Sequence, residues 1–136
     1  MNTYYRDIAL IVDKKRRLLT ARRPKSEDHP KDWELPQITT DEKEDTNRLK
    51  DYLKKTFRVR TIVRDSIKQE SYIVKRYNQE YKLRIRIYLV ELKDAVVKSD
   101  DHVKLDWVRV HNYEDINWTP ETSIYIDDVQ SYVIGY

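Results

Sequence analysis

The chain has no cysteine and only one glycine in 136 residues. Without cysteine there is no disulfide scaffold, no thiolate zinc site and no cysteine nucleophile. A single glycine excludes the P-loop and GxGxxG phosphate cradles, which need several glycines at fixed spacing. No apolar run approaches the roughly 18 residues that cross a bilayer, so no membrane partner is expected. The opening stretch, MNTYYRDIAL, lacks the basic-then-apolar order of a signal peptide. A cytoplasmic location is the expectation.

What is present points to one folded domain over residues 1–136. Hydrophobic residues make up 39% and charged residues 38%, with 11 tyrosines and three tryptophans, a balance that suits a packed core under a charged surface. The net charge of +3 conceals an asymmetry: residues 1–93 hold 24 cationic against 15 acidic side chains, and residues 94–136 hold three against nine. Either the basic part faces a polyanion or the two parts pair with each other.

Hydrophobic periodicity divides the chain into elements. Ile8–Asp13 reads as a buried strand, Lys14-Lys15 as a turn and Arg17–Arg23 as a second strand. Residues 24–32 form a polar loop, and Pro36 is expected to limit strand pairing after Trp33-Glu34-Leu35. Thr46–Phe57 is the clearest helix, with Leu49, Leu53 and Phe57 on one stripe and Asp45 or Thr46 as cap. Val59–Val63, Ser71–Lys75, Tyr81–Leu92 and Leu105–Val110 read as strands, the second and third joined through Tyr77-Asn78-Gln79-Glu80. In Tyr81–Leu92, alternation sends Leu83, Ile85, Ile87 and Leu89 to one face and Lys82, Arg84, Arg86 and Tyr88 to the other. A helix is expected from Pro120, with Ile124, Val129 and Val133 among its apolar positions. The order predicts a mixed α/β (α+β) domain with helices against a sheet.

Three segments carry a resemblance. Leu18-Leu19-Thr20-Ala21-Arg22-Arg23-Pro24 looks like an "LLxxRRP" strand, Trp33-Glu34-Leu35-Pro36 like "WEFPGG", and Leu105-Asp106-Trp107-Val108 with Trp118-Thr119-Pro120 like a late tryptophan strand and helix. In this order they resemble the MutT-like branch of the Nudix family, from about Ile8 to Tyr125. The resemblance implies a mixed β-sheet sandwiched between helices. It departs where the family's chemistry lies. The box pattern G-x5-E-x7-R-E-U-x-E-E-x-G-U (U aliphatic), laid on by Leu53 and Val59, puts Gln37 and Lys43 at the first glycine and glutamate. Asp51-Tyr52 then stands for Arg-Glu, Lys55-Thr56 for Glu-Glu, and Arg58 for the second glycine. Mg²⁺ needs several hard oxygen ligands, and this helix carries Arg48, Lys50, Lys54 and Lys55 against Asp51 alone.

The leading expectation is therefore a non-catalytic module that binds a nucleotide, a nucleic acid or a protein partner and needs no cofactor. The alternatives are a divergent hydrolase using Mg²⁺ or Mn²⁺ with relocated acids (Asp41, Glu42, Glu44, Asp45, or Asp100, Asp101 and Asp106), and a structural subunit with an exposed apolar patch. Candidate phosphate ligands are Lys54, Lys55 and Arg58 of the basic helix, against a solvated helix face. The resemblance adds Arg22 and Arg23 as a basic pair beside the substrate, against an ordinary ion pair with Glu34 or Asp32. It also implies Leu35, Trp118 and Thr122 as a base pocket. Lys75, Arg76, Lys82, Arg84, Arg86 and Tyr88 mix charge with aromatics as nucleic-acid binders do, against a solvated sheet face. The acids before the helix are either metal ligands or complements to its N-terminus. His29, His102 and His111 are expected to be scattered and exposed, without a nucleophile partner.

Overall fold

Residues Ile8–Ile11 have almost no solvent exposure, because both faces of their strand are covered, and an unbroken apolar run is what such a strand requires. The computed structural model describes residues 1–24, 31–96 and 98–135. Its elements are β1 (Asn2–Ile11), β2 (Arg17–Arg22), β3 (Trp33–Glu34), β4 (Gln37–Thr40), α1 (Thr46–Thr56), β5 (Thr61–Arg76), β6 (Gln79–Leu92), β7 (Lys104–Arg109), a 3₁₀ segment (Val110–Asp115) and α2 (Pro120–Gly135). One sheet has the order β4-β1-β6-β5 and the other β3-β2-β7. β1 runs parallel to β6, and the other pairings are antiparallel. The architecture is a mixed α+β fold, as expected.

Alternation along β1 and β6 builds two cores. Ile8, Leu10, Leu83, Ile85 and Ile87 pack in a cluster with Ile126, Val129 and Val133 of α2. Ala9, Ile11, Tyr88 and Val90 pack on the other side with Leu49, Leu53 and Phe57 of α1. Asp45 caps α1, its Oδ1 accepting from Asn47 N at 3.0 Å. Arg58 follows the helix with φ of 60°, a left-handed position that glycine usually fills. Here Asp100 N donates to Thr56 O, and the Asp100 carboxylate pairs with Arg58 at 3.0 Å.

The structure corrects several expectations. The two short strands read between Val59 and Lys75 belong largely to one 16-residue strand, β5, with register shifts between Val63 and Ser66 and between Ser66 and Lys68. The charges of residues 64–70 hide it, because this edge strand has one neighbour and much of its surface in water. Pro36 does not end pairing: its carbonyl accepts from Ala9 N at 2.9 Å, and β4 starts at the next residue. Proline lacks only the donor. Arg86 and Tyr88 are buried, at 5% and 2% exposure. The half of that face that holds Arg86 and Tyr88 lies instead beneath α1 and the segment leading into it, while Arg84 remains exposed.

Arg86 is the centre of that segment. Its Nε donates to Asp7 Oδ1 at 2.7 Å. Its Nη2 donates to Thr40 Oγ1 at 2.9 Å and Asp41 O at 2.8 Å, and its Nη1 to Glu42 O at 3.1 Å. Burial pushes the Asp7 carboxyl above the usual aspartate range even with Arg86 against it. The charge asymmetry of the sequence is met in part within the chain: Arg6 pairs with Glu121, Arg58 with Asp100, Arg60 with Asp94 and Lys68 with Asp128. Replacing Arg86 with Met strands a buried carboxylate and is expected to cost about 3–5 kcal/mol in urea unfolding. Adding Asp7→Leu recovers most of that loss.

Candidate functional site

β3 and β4 flank Leu35-Pro36, where the chain passes from one sheet to the other. A groove follows this crossing. Its first part, about 340 Å³, is lined by Arg6 of β1, Arg23, Glu34, Gln37–Thr39 of β4, Val74–Arg76 and Tyr81 of the β5–β6 hairpin, and Thr119–Glu121 at the start of α2. The second part, about 470 Å³, shares Arg23, Glu34, Gln37, Ile38 and Thr39 and adds Pro24, Tyr52, Asp101 and His102. Four cationic side chains, Arg6, Arg23, Lys75 and Arg76, face two carboxylates in the first part.

Both carboxylates are engaged. Glu121 accepts from Tyr81 Oη at 2.6 Å and from Arg6 Nη2 at 3.3 Å. Glu34, only 6% exposed, accepts from Arg23 Nη1 at 2.6 Å. His102 Nε2 lies 3.7 Å from its other oxygen, and the opposite ring nitrogen sits 2.7 Å from Ser99 Oγ. Burial opposes ionisation of Glu34, but His102 and Arg23 outweigh it and hold the carboxyl below the usual glutamate range. Glu34 is thus a fixed negative charge between the Arg23 guanidinium and the His102 imidazole. Tyr52 of α1 faces the same lobe. Burial, with the charges of Asp101 and Glu34, raises its phenol, so it remains a neutral hydroxyl.

The residues singled out in the sequence separate into groups. Arg23 is in the groove, paired with Glu34, whereas Arg22 Nε donates to Lys31 O at 3.2 Å. Lys54, Lys55 and Arg58 are exposed and line no part of the groove. Helical rotation turns Tyr52 toward it instead. Leu35 and Thr122 are fully buried, and Trp118 packs edge-on against Tyr113 while its Nε1 donates to Tyr113 O at 2.9 Å. None of these three lines the groove. Lys75 and Arg76 do line it, and Lys82 and Arg84 lie elsewhere on the sheet. Asp41 accepts from Lys43 N and pairs with Arg48 at 3.0 Å. His102 is the residue that sequence reasoning misjudged. It is largely buried; Ser99 lies only three residues away, but the Glu34 that its other ring nitrogen approaches is on β3, and that distant contact leaves no mark in the local pattern. His111 is exposed, and His29 lies outside the described residues. Arg6, Tyr81 and Glu121 were also missed, because three distant segments assemble them. Among the described residues no group of three His, Asp or Glu side chains is placed to hold a metal ion, and no helix is long and apolar enough to cross a membrane.

No family model matches the sequence, and no curated protein matches it significantly. Solved structures do match in shape. A MutT protein from Methanosarcina mazei Go1 has a TM-score of 0.69 at 15% identity, covering 97% of this chain and 93% of that one. A MutT NUDIX hydrolase from Burkholderia pseudomallei gives 0.66 at 18%, covering 95% and 99%. An Ap4A hydrolase from C. elegans gives 0.65 at 12%, covering 100% of both. The chain has the Nudix fold.

A pH prediction follows from Glu34. Its folded-state value is depressed, so the stability it contributes is present above its ordinary value of 4.5 and is lost as pH falls through the lower folded value. Glu34→Gln should lower stability at pH 7 by about 1–3 kcal/mol and make the acid limb shallower. Urea unfolding between pH 7 and pH 3 measures both.

Proposed function

We propose that this Nudix-fold chain is a metal-independent binding module whose groove takes a nucleotide, rather than a nucleotide hydrolase. The observation that carries the reading is the lining: four cations against two carboxylates that are already paired. A phosphate group entering there meets guanidinium forks and a lysine. A space of this size, with both apolar and polar walls, suits a ligand of nucleotide dimensions.

The surroundings of α1 support the same reading. Its one acidic residue, Asp51, is exposed, and the side chain it turns to the groove is Tyr52. Hydrolysing a diphosphate with bound cations that neutralise its charge needs clustered carboxylates to hold those cations at that place. Three of the acids that a relocated metal site would use have other tasks. Asp41 pairs with Arg48, Asp45 caps α1, and Asp100 pairs with Arg58. A phosphate entering the groove meets its cations where they already stand, Arg6 beside Glu121, Arg23 beside Glu34 and Lys75 beside Glu80.

The test is calorimetry with nucleoside di- and triphosphates, in EDTA and in Mg²⁺ or Mn²⁺, with phosphate release followed in parallel. Binding is expected to survive EDTA, without turnover. Arg6→Gln should weaken it by about tenfold or more, the worth of one charge-assisted hydrogen bond. Lys54→Glu with Lys55→Glu should leave it unchanged. Metal-dependent phosphate release would overturn the reading.

A further inference from the structure

The groove does not end at Lys75 and Arg76. The same two residues line a further depression of about 350 Å³ at the hairpin tip, together with Tyr77, Asn78, Gln79 and Glu80. Tyr77 is 80% exposed. The Arg76 guanidinium lies 5.2 Å from the centre of its ring, so one aromatic face is backed by a cation and held in orientation while the other remains open.

The fold itself gives no reason for a tyrosine here. Tyr77 and Asn78 form a two-residue turn, with φ of 50° and 63°. Such turns favour Asn and Gly, and a bulky aromatic at positive φ is disfavoured. Tyr77 therefore carries a backbone cost and buries almost nothing within the chain. An aromatic held open against Arg76, with Lys75 nearby and its Nζ 3.5 Å from Glu80, is suited to a partner with both phosphates and flat faces. Single-stranded nucleic acids have both: cations follow the backbone and bases stack on exposed rings with little regard to sequence. An acidic peptide would use the cations and leave the ring idle.

We propose that the groove receives the terminal nucleotide of a single-stranded nucleic acid, and that the strand continues over the hairpin tip with a base stacked on Tyr77. This rests on the groove binding a nucleotide. The test compares a mononucleotide, by calorimetry, with labelled oligothymidylates of increasing length, by fluorescence anisotropy, using polyglutamate as a polyanion control. Affinity is expected to rise about tenfold or more from the mononucleotide to a hexamer. Tyr77→Asn should abolish most of that gain and leave mononucleotide binding intact. Its melting temperature should not fall, since asparagine suits the turn. Equal affinity for mononucleotide and hexamer overturns this proposal and leaves the groove reading standing, as does polyglutamate binding as tightly as the hexamer. A gain in affinity that survives Tyr77→Asn also overturns it. Failure of both mononucleotide and hexamer to bind overturns both readings.

Discussion

The buried pair of Asp7 and Arg86 ties together the parts of the molecule on which everything else depends. Asp7 is opposite Arg86 in the β1–β6 ladder and opposite Ile38 in the β1–β4 ladder. From the same guanidinium, hydrogen bonds reach Thr40, Asp41 and Glu42. One side chain thus joins two central strands, the edge strand β4 and the segment that launches α1. Burying an ion pair is not a strong source of net stability, since desolvation offsets most of the attraction. Its effect here is on register. A one-residue slip of β4 would take Gln37 and Thr39 off the face that they share with Arg6, because side chains alternate along a strand.

That register places the groove. Arg6 and Thr39 stand opposite each other on adjoining strands, and the first turn of α2 closes over them with Glu121 paired to Arg6 and Tyr81. On the far side of β4, Glu34 is held by Arg23 and approached by His102. The groove thus sets cations and carboxylates side by side, Glu121 holding Arg6 and Glu34 holding Arg23. On the reading proposed above, a phosphate arriving there would compete with those pairs, which would favour a ligand offering several contacts at once over a lone small anion.

The shortage of glycine leaves its mark on the backbone. Five described residues other than glycine adopt left-handed φ: Arg16, Lys31, Arg58, Tyr77 and Asn78. At Arg58 the cost is met locally, by the ion pair with Asp100 and the amide that Asp100 gives to the helix end. At Tyr77 no such packing is evident, and the side chain projects into solvent. The contrast separates a turn whose residue serves the fold from one whose residue does not.

Sequence alone determined the elements whose signal is local. The stripe Leu49, Leu53 and Phe57, the apolar run of β1 and the alternation of Leu83, Ile85 and Ile87 all follow from periodicity, and with them the mixed α+β layering; the cap was legible only as Asp45 or Thr46. The ion pair between Arg23 and Glu34 was open as one of two readings. What only the tertiary structure decided is which polar residues are inside. Arg86 and Tyr88 carry the pattern of a solvated face, but α1 and the segment before it fold over them. Lys54 and Lys55 look like a binding face, but helical rotation points Tyr52 at the groove. Arg6 and Glu121 look isolated because they pair with each other across most of the chain, and the Glu34 that His102 approaches is also far from it in sequence. Periodicity reports which side of an element a residue occupies. What covers that side is set by long-range packing, which a local pattern does not encode.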